Sequence, residues 1–538
     1  MNNSAPAVSE IEVPLFERPE IYDRRWFLLG VMCLCLAMVV MSVSGLNVAI
    51  PQIQSGLKAT ATDLQWIIDS YTIIFAGMLL TAGAIGDRFG RKRALQGGLF
   101  LFALGSVFGM MATSVTVLIV ARSVMGVGAA FIMPATLSIL SAIFGPDERP
   151  KAIAIWAGFA GAGGALGPVL VGYLITDWWI SPAYWWGAAF VVSLIGAVVV
   201  LVVVTIYTPR SRDDEATKLD PLGSVLSFVG LAAMLYGIIE GPVKGWTSTE
   251  VLVAFAVAIV CLGGFAYWEY RIDTPMLPMD LFKDDGFSIG SGVITFAFFV
   301  MFGFFFLMAQ FLQFVRGYSP LDAGVATMPM AIPIVLVSPR SVVLSARIGA
   351  AAVIAAGFAF MVAGFALLAT VDTGTSYWVI AAALILIGIG MGITVAPATG
   401  IIMSAVPLNR AGIGSAVNDT TREIGGALGI AVFGAIVNSA YRSEIDTDVL
   451  MALPPEAAAA AGESVGAATA IAAQLPPEIG SRLSAAAGDA YNVAFSNSMN
   501  AAAAVAAVAG IGLYLVGRKS SLAKPSAVDA SEISNSAS

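Results

Sequence analysis

Fourteen predominantly apolar runs follow one another along this chain, at 26–50, 63–85, 95–113, 115–140, 152–175, 183–207, 221–240, 251–270, 287–314, 321–345, 349–370, 377–403, 412–440 and 490–516. Each approaches the length of helix, ~20 residues, that crosses the hydrocarbon of a bilayer. Apolar residues make up 58% of the 538 positions and charged residues 12%, against roughly 25% charged in soluble domains. A soluble chain this long would form about three domains, and none could keep so much apolar surface from water. The runs 63–85 and 321–345 carry polar residues inside them. Periodicity adds little, because a helix among lipid and other helices is apolar on most faces.

Charge placement orients the segments. With the N-terminus inside, the inner stretches hold Arg18, Arg24, Arg25, Arg88, Arg91, Lys92, Arg93, Arg149, Lys151, Arg210, Arg212, Lys218, Arg271, Lys283, Arg347, Arg410, Arg518, Lys519 and Lys524. The outer stretches hold only Lys58, Lys244, Arg316, Arg442 and Arg482. This asymmetry is what the positive-inside rule demands, and an odd number of spans would destroy it. Trp178, Trp179, Tyr184, Trp185 and Trp186 crowd one outer loop, as an interfacial aromatic belt would. The net charge of −8 comes with no basic patch, so nucleic acid is not an expected partner. Cys33, Cys35 and Cys261 all fall inside apolar runs, which argues against a disulfide framework or a metal site. The first run is too long for a signal-peptide core and reads as a retained helix.

The chain also repeats itself. Gly163-Gly164-Ala165-Leu166-Gly167, then Gly172, returns 262 residues later as Gly425-Gly426-Ala427-Leu428-Gly429, then Gly434. Gly126 and Gly128 return at the same offset as Gly388 and Gly390, Pro134-Ala135 one residue out as Pro397-Ala398, and Arg88-Phe-Gly90, out of that register, has a faint echo in Arg347-Ile-Gly349. Small residues pack membrane helices closely whatever their function, but several matches in order point to duplication. The organisation expected is a tail 1–25, a six-helix bundle 26–207, an inserted pair 221–270, a second six-helix bundle 287–516 containing an outer connection 441–489, and a disordered tail 517–538. Six-helix repeats with a site between them at the membrane midplane are a transporter architecture.

Between the second and third segments lies Gly83-Ala-Ile-Gly-Asp87-Arg88-Phe-Gly90-Arg91-Lys92-Arg93. An inner anchor explains the bases, but not Asp87 and Gly90 at this spacing. With Leu118-Ile-Val-Ala-Arg122-Ser-Val-Met-Gly126-Val-Gly128, Gly164-Ala-Leu-Gly167-Pro168-Val-Leu-Val-Gly172 and Asn47-Val-Ala-Ile-Pro51, the chain resembles the major facilitator superfamily, in its fourteen-helix drug:proton antiporter branch, from about 26 to 516. The resemblance implies an all-α membrane fold of two six-helix bundles plus two helices, with both termini cytoplasmic. It implies that Gly83, Asp87, Arg88, Gly90 and Arg91 latch the two halves in the outward-facing state, and that Gly163, Gly167, Pro168 and Gly172 form the antiporter motif.

Arg122 falls within the fourth apolar segment, where an unpaired charge costs ~3 kcal/mol or more. Asp69 lies in the second, and neither has a charged counterpart in the second half. A titratable pair would load and release a proton as its separation changed; the plainer reading is a permanent ion pair. The chain has no histidine, so a proton relay must run on carboxylates. Besides Asp69 these are Glu240, Glu269, Asp322, Asp419 and Glu423. Glu269 and Asp322 read as solvated helix ends and Glu240 as interfacial. Asp419, Arg422 and Glu423 are helical neighbours, equally suited to local neutralisation or to a cavity. Ser42 stands where the resembled branch often carries an acid. Trp66, Tyr71, Phe305, Gln310 and Gln313, with Asp419 and Glu423, are the expected cavity lining, suited to lipophilic cations.

Leu453-Pro-Pro-Glu456 and Leu475-Pro-Pro-Glu478 carry helix-starting chemistry, so two short outer helices are expected within 441–489. The function expected is export of lipophilic cationic drugs or antiseptics by a monomer in the bacterial cytoplasmic membrane. Its energy would come from the proton gradient, with no cofactor and no metal. Export of an endogenous lipid, siderophore or metabolite is the alternative on the same fold. A membrane-embedded enzyme is disfavoured, since no cluster pairs a nucleophile with a base and no phosphate loop appears.

Overall fold

The computed structural model describes residues 14–59, 61–177, 185–209 and 220–518. Within the bilayer every backbone polar group needs an internal partner, so the apolar runs become helices. The first half comprises α1 (Pro19–Tyr22), α2 (Arg25–Ser44), α3 (Leu46–Leu57), α4 (Ala61–Phe89), α5 (Arg91–Met110), α6 (Val115–Ile143), α7 (Arg149–Asp177) and α8 (Ala188–Tyr207). The inserted pair is α9 (Pro221–Lys244) and α10 (Thr249–Arg271). The second half comprises α11 (Asp285–Gln310), α12 (Pro320–Ile348), α13 (Ala350–Leu368), α14 (Tyr377–Ala405), α15 (Ala411–Glu444), the short α16 (Thr447–Met451), α17 (Pro455–Glu463) and α18 (Val465–Ala472), and α19 (Pro477–Gly517). Thirteen spans among the described residues are long and apolar enough to cross a membrane. The expected segment 152–175 lies in α7, a helix of 29 residues, some of whose side chains are outside the description.

Each expected segment falls on a helix, with local departures. The first segment is divided at Gly45, between α2 and α3, although Gly45 N still donates to Met41 O at 2.8 Å. A Cβ there would meet Val171 at 2.6 Å and the Gly167 carbonyl at 3.1 Å, so the break lies where α7 crosses closest. The end of the 287–314 segment widens into a π-helical turn, Phe311–Val315. The outer connection differs from the two helices expected. It holds three short helices, and the second Pro-Pro-Glu starts α19 itself, which runs unbroken for 41 residues through the last span. Trp186, expected in an aromatic belt, is buried against Phe190; Trp178, Trp179 and Tyr184 lie outside the described residues, as do Arg210, Arg212, Lys218 and the tail beyond 518.

The two halves repeat one packing scheme. In the first, α4 packs on α6, α6 on α5, α5 on α8, and α2 on α7 and α8; in the second, α12 packs on α14, α14 on α13, α13 on α19, and α11 on α15 and α19. The repeated glycines make the same contacts twice. A Cβ on Gly126 would meet the Tyr71 carbonyl of α4 at 2.7 Å, and one on Gly388 the Met330 carbonyl of α12 at 2.3 Å. Gly90 (φ 105°) and Gly349 (φ 87°) turn the chain at equivalent places, a conformation that favours glycine. The halves meet where α4 packs on α15 and α7 on α12, and the inserted α9 covers the groove beside α4 and α15.

Candidate coupling and transport site

At the basic-loop end, α4 and α15 are clasped. Asp87, in the last turn of α4, is buried and accepts hydrogen bonds from Gly412 N at 3.1 Å and Ile413 N at 3.2 Å. These are unpaired amides of the first turn of α15, where the helix dipole also favours a carboxylate. Arg91 Nε reaches Asp87 Oδ1 at 3.3 Å. Its other nitrogens donate to the carbonyls of Leu408 at 2.5 Å and Ser138 at 3.4 Å. Gly83 permits the approach, since a Cβ there would lie 2.6 Å from the Gly412 carbonyl. Arg88 lies over the ring of Phe89. Acid, base and glycines thus converge on the other half of the molecule, which an anchor would not require.

The Gly163–Gly172 stretch presents two faces of α7. Gly163 and Gly167 lie against α2, where a Cβ would meet the Ala37 carbonyl at 2.7 Å and Ser44 Oγ at 2.2 Å. Pro168 and Gly172 face the start of α12, with Pro168 Cβ 3.0 Å from a Cβ built at Gly324 and Leu321 3.5 Å from one built at Gly172. The motif therefore ties α7 both to its own bundle and to the opposite one. Gly425 and Gly429 repeat the intrabundle contact on the carbonyls of Thr295 and Phe299 at 2.3 and 2.0 Å.

Asp69 and Arg122 are not joined in an ion pair. Arg122 is 1% exposed, donates from Nε to the Ile67 carbonyl at 3.2 Å and lies over the Tyr71 ring at 4.2 Å. Both of its terminal nitrogens are buried without a hydrogen-bond partner. Asp69 instead interacts electrostatically with Glu240 of α9 and hydrogen-bonds Gln65, leaving Oδ2 buried and unpartnered. Tyr71 lies between charges of the two halves, under the Arg122 guanidinium and within electrostatic range of Glu423, and its hydroxyl is buried without a hydrogen-bond partner.

In the second half, Arg422 Nη1 is 3.9 Å from Asp419 Oδ1, and both residues are buried. Asn418 donates from Nδ2 to Asp419 Oδ1 at 3.2 Å and accepts at its own Oδ1 from Thr399 Oγ1 at 3.2 Å. The Arg422 guanidinium lies 4.6 Å from the Phe298 ring and 5.9 Å from that of Trp156, which belongs to α7 of the other half. Trp156, Phe298, Asn418 and Thr399 were missed in the sequence. The available signals were a polar aromatic on the antiporter-motif helix and an amide preceding Asp419.

The expected cavity residues do not form one lining. Tyr71 of the first half lies within electrostatic range of Glu423 of the second. Trp66 packs on Tyr236 of the inserted pair, ring centroids 6.0 Å apart. Phe305, Gln310 and Gln313 lie toward the outer end of α11, where Phe305 packs on Phe304 and Gln310 bonds back to the Phe306 carbonyl at 3.3 Å. A cavity of about 400 Å³ near that end is lined by Gly317, Tyr318, Asp322, Val325, Ala326 and Tyr377 instead. Asp322 there caps α12 with Ser319, as a helix-end acid should. Glu269 departs from the solvated position expected: it is 2% exposed and accepts from Leu277 N at 3.0 Å. Glu240, expected at the interface, is buried too.

Comparison with known proteins agrees with this architecture. Residues 32–430 match the family model of the Major Facilitator Superfamily. The multidrug efflux pump LfrA of Mycolicibacterium smegmatis is 33% identical over 90% of this chain and 94% of its own. The methyl viologen resistance protein SmvA of Salmonella typhimurium is 30% identical over 91% and 98%, and the multidrug resistance protein Stp of Mycobacterium tuberculosis 34% over 78% and 77%. Among solved structures, the human organic anion transporter MFSD10 covers 92% of this chain and 100% of its own with TM-score 0.59 at 13% identity. A bacterial homologue of the lysosomal transporter Spinster covers 93% and 98% with TM-score 0.58 at 19% identity. By its duplicated helix packing, its clasp and its match to the family model, this chain is a multi-pass membrane protein belonging to the Major Facilitator Superfamily.

Proposed function

We propose that the protein exports lipophilic, cationic drugs or antiseptics from the bacterial cytoplasm by alternating access, exchanging them for protons. The observation that carries this reading is the unneutralised Arg122. A buried guanidinium with two free nitrogens is expensive inside a membrane, and a permanent structural ion pair would have neutralised it. In a working cycle its partner comes and goes. Asp69, in the same bundle, is the proton carrier in this reading; Arg122 and Tyr71 sense charge arriving from Glu423 across the interface. Asp87 on the first turn of α15 holds the cytoplasmic side shut, and releasing it opens the path inward. Trp156, Phe298 and Tyr71, with Asp419 and Glu423, supply aromatic faces and negative charge, which is the chemistry that binds organic cations. The efflux and resistance functions named for the bacterial relatives LfrA, Stp and SmvA point the same way.

The test is transport by the purified protein in liposomes. An imposed pH gradient should drive a fluorescent lipophilic cation in the wild type, and Asp69→Asn should remove the coupling while the protein stays folded. Coupled transport unchanged in Asp69→Asn overturns the mechanism. Absence of transport of any cation would favour export of an endogenous lipid or metabolite on the same fold.

A further inference from the structure

Asp69 faces away from the arginine of its own bundle and toward the inserted pair, and a carboxylate placed there needs a route to water. That route lies along α9. Glu240 is 5% exposed and interacts electrostatically with Asp69. One turn further out on the same helix, Lys244 Nζ stands 3.6 Å from Glu240 and 2.5 Å from Glu250 of α10, whose side chain is 63% exposed. Lys244 also donates to the Tyr236 hydroxyl at 3.1 Å, and the Tyr236 ring packs on Trp66, three residues from Asp69. Ionisable and aromatic groups of α4, α9 and α10 therefore succeed one another from the buried acid to the surface away from the basic loops, the outer side by the charge rule.

We propose that the inserted pair α9–α10 is the proton inlet of this transporter, with Glu240 receiving protons from the outer water and passing them to Asp69. A proton arriving past Glu250 adds to the Glu240 carboxylate, which then lets go of Lys244. The O–H bond at Glu240 breaks as one forms at Asp69, and the freed Glu240 carboxylate returns to the Lys244 ammonium. The other charged groups packed around this path act elsewhere: Arg122 of α6 lies over Tyr71, on which Glu423 of α15 also acts electrostatically, Asp419 stands 3.9 Å from Arg422, and Asp87 with Arg91 lies at the far end of α4. The pair thereby gains a role in the reaction rather than serving as a spacer between two bundles. The inference rests on Asp69 as the proton carrier.

The experiment uses full-length protein in liposomes loaded with a pH-sensitive dye, an acidic outside, and ethidium as the exchanged cation. Glu240→Gln should slow proton influx by about a hundredfold or more, the scale of a lost proton-transfer group, and should change its dependence on outer but not inner pH. Ethidium affinity and thermal stability should match wild type, which loss of a merely structural ion pair would not allow. Glu240→Asp, keeping the carboxylate, should restore most of the rate, and it serves together with Lys244→Gln if the glutamine variant does not fold. Asp69→Asn fixes where a failure lies. If Asp69→Asn abolishes influx while Glu240→Gln leaves rate and pH profile unchanged, the inlet is overturned and the carrier stands. If influx survives Asp69→Asn, the carrier reading itself is wrong and the inlet goes with it.

Discussion

Replacing Asp87 by Asn probes the clasp with almost no change in shape. The carboxylate now accepts from two amides of α15, at 3.1 and 3.2 Å, and from Arg91 at 3.3 Å. Asparagine keeps one acceptor and turns a donor toward the other contacts. The loss is one charge-assisted hydrogen bond of roughly 1.5–3 kcal/mol and a helix-terminus attraction of roughly 0.3–1 kcal/mol. Water in the opened state returns part of this to the freed groups, leaving about 2–3 kcal/mol of bias toward opening, or roughly 30- to 150-fold in population. Nitroxide labels on the exposed Arg93 and Asn409, in a background with Cys33, Cys35 and Cys261 replaced, report the separation of the two halves at this end. Wild type should give a dominant short distance, and Asp87→Asn a large long-distance fraction with a matching fall in drug export. A folded Asp87→Asn protein with an unchanged distance distribution would refute the reasoning and reduce the loop to an anchor.

Other positions separate packing from function. Gly167→Ala should destabilise the fold by about 1–3 kcal/mol through overpacking, because the new methyl meets Ser44 Oγ at 2.2 Å and backbone atoms at 2.9 Å. Gly164→Ala, with Val40 no nearer than 3.9 Å, should leave the melting temperature unchanged; equal effects would disprove the assigned faces of α7. Arg122→Met removes a buried, unneutralised charge, so it should melt no lower than wild type while losing proton-coupled transport; lower stability with transport retained would make the arginine structural. The hydrogen bond from Arg25 to Glu148, at 2.7 Å, holds the Glu148 carboxyl below its ordinary range. Its stabilising contribution is therefore full above the unfolded carboxylate value, ~4.3, and is lost as pH falls through the lower folded value. The advantage of wild type over Glu148→Gln, no more than about 1 kcal/mol for a pair whose carboxylate is over a third exposed, should vanish on acidification; an advantage independent of pH contradicts the assignment.

Much of the architecture was legible because it follows from local chemistry. An apolar run long enough to span must be helical, and lysine and arginine counts order the loops. The glycines at 163, 167, 425 and 429 announced the repeat because close helix crossings exclude larger residues. The clasp loop was legible for a related reason: Asp87 and Gly90 are more specific than an anchor needs. Less legible were the ends of elements. The break at Gly45 lies where α7 approaches closely, and the second Pro-Pro-Glu began the final span rather than a separate outer helix. Local signals marked a helix start there without saying how far the helix would run.

The sequence by itself determined the solvent, the order of the apolar segments, the glycine pattern that repeats along them, and which few polar residues had to lie among them. Only the tertiary structure decided which of those residues meet. Asp69 and Arg122 looked like a pair, yet Asp69 interacts with Glu240 of the inserted helix, while Arg122 lies on Tyr71, itself within reach of Glu423 from the other half. Trp156 and Arg422 come together from opposite bundles. The physical reason is that a helix apolar on nearly all faces carries no moment to say which side meets which neighbour, so the direction of each buried charge is fixed by long-range packing.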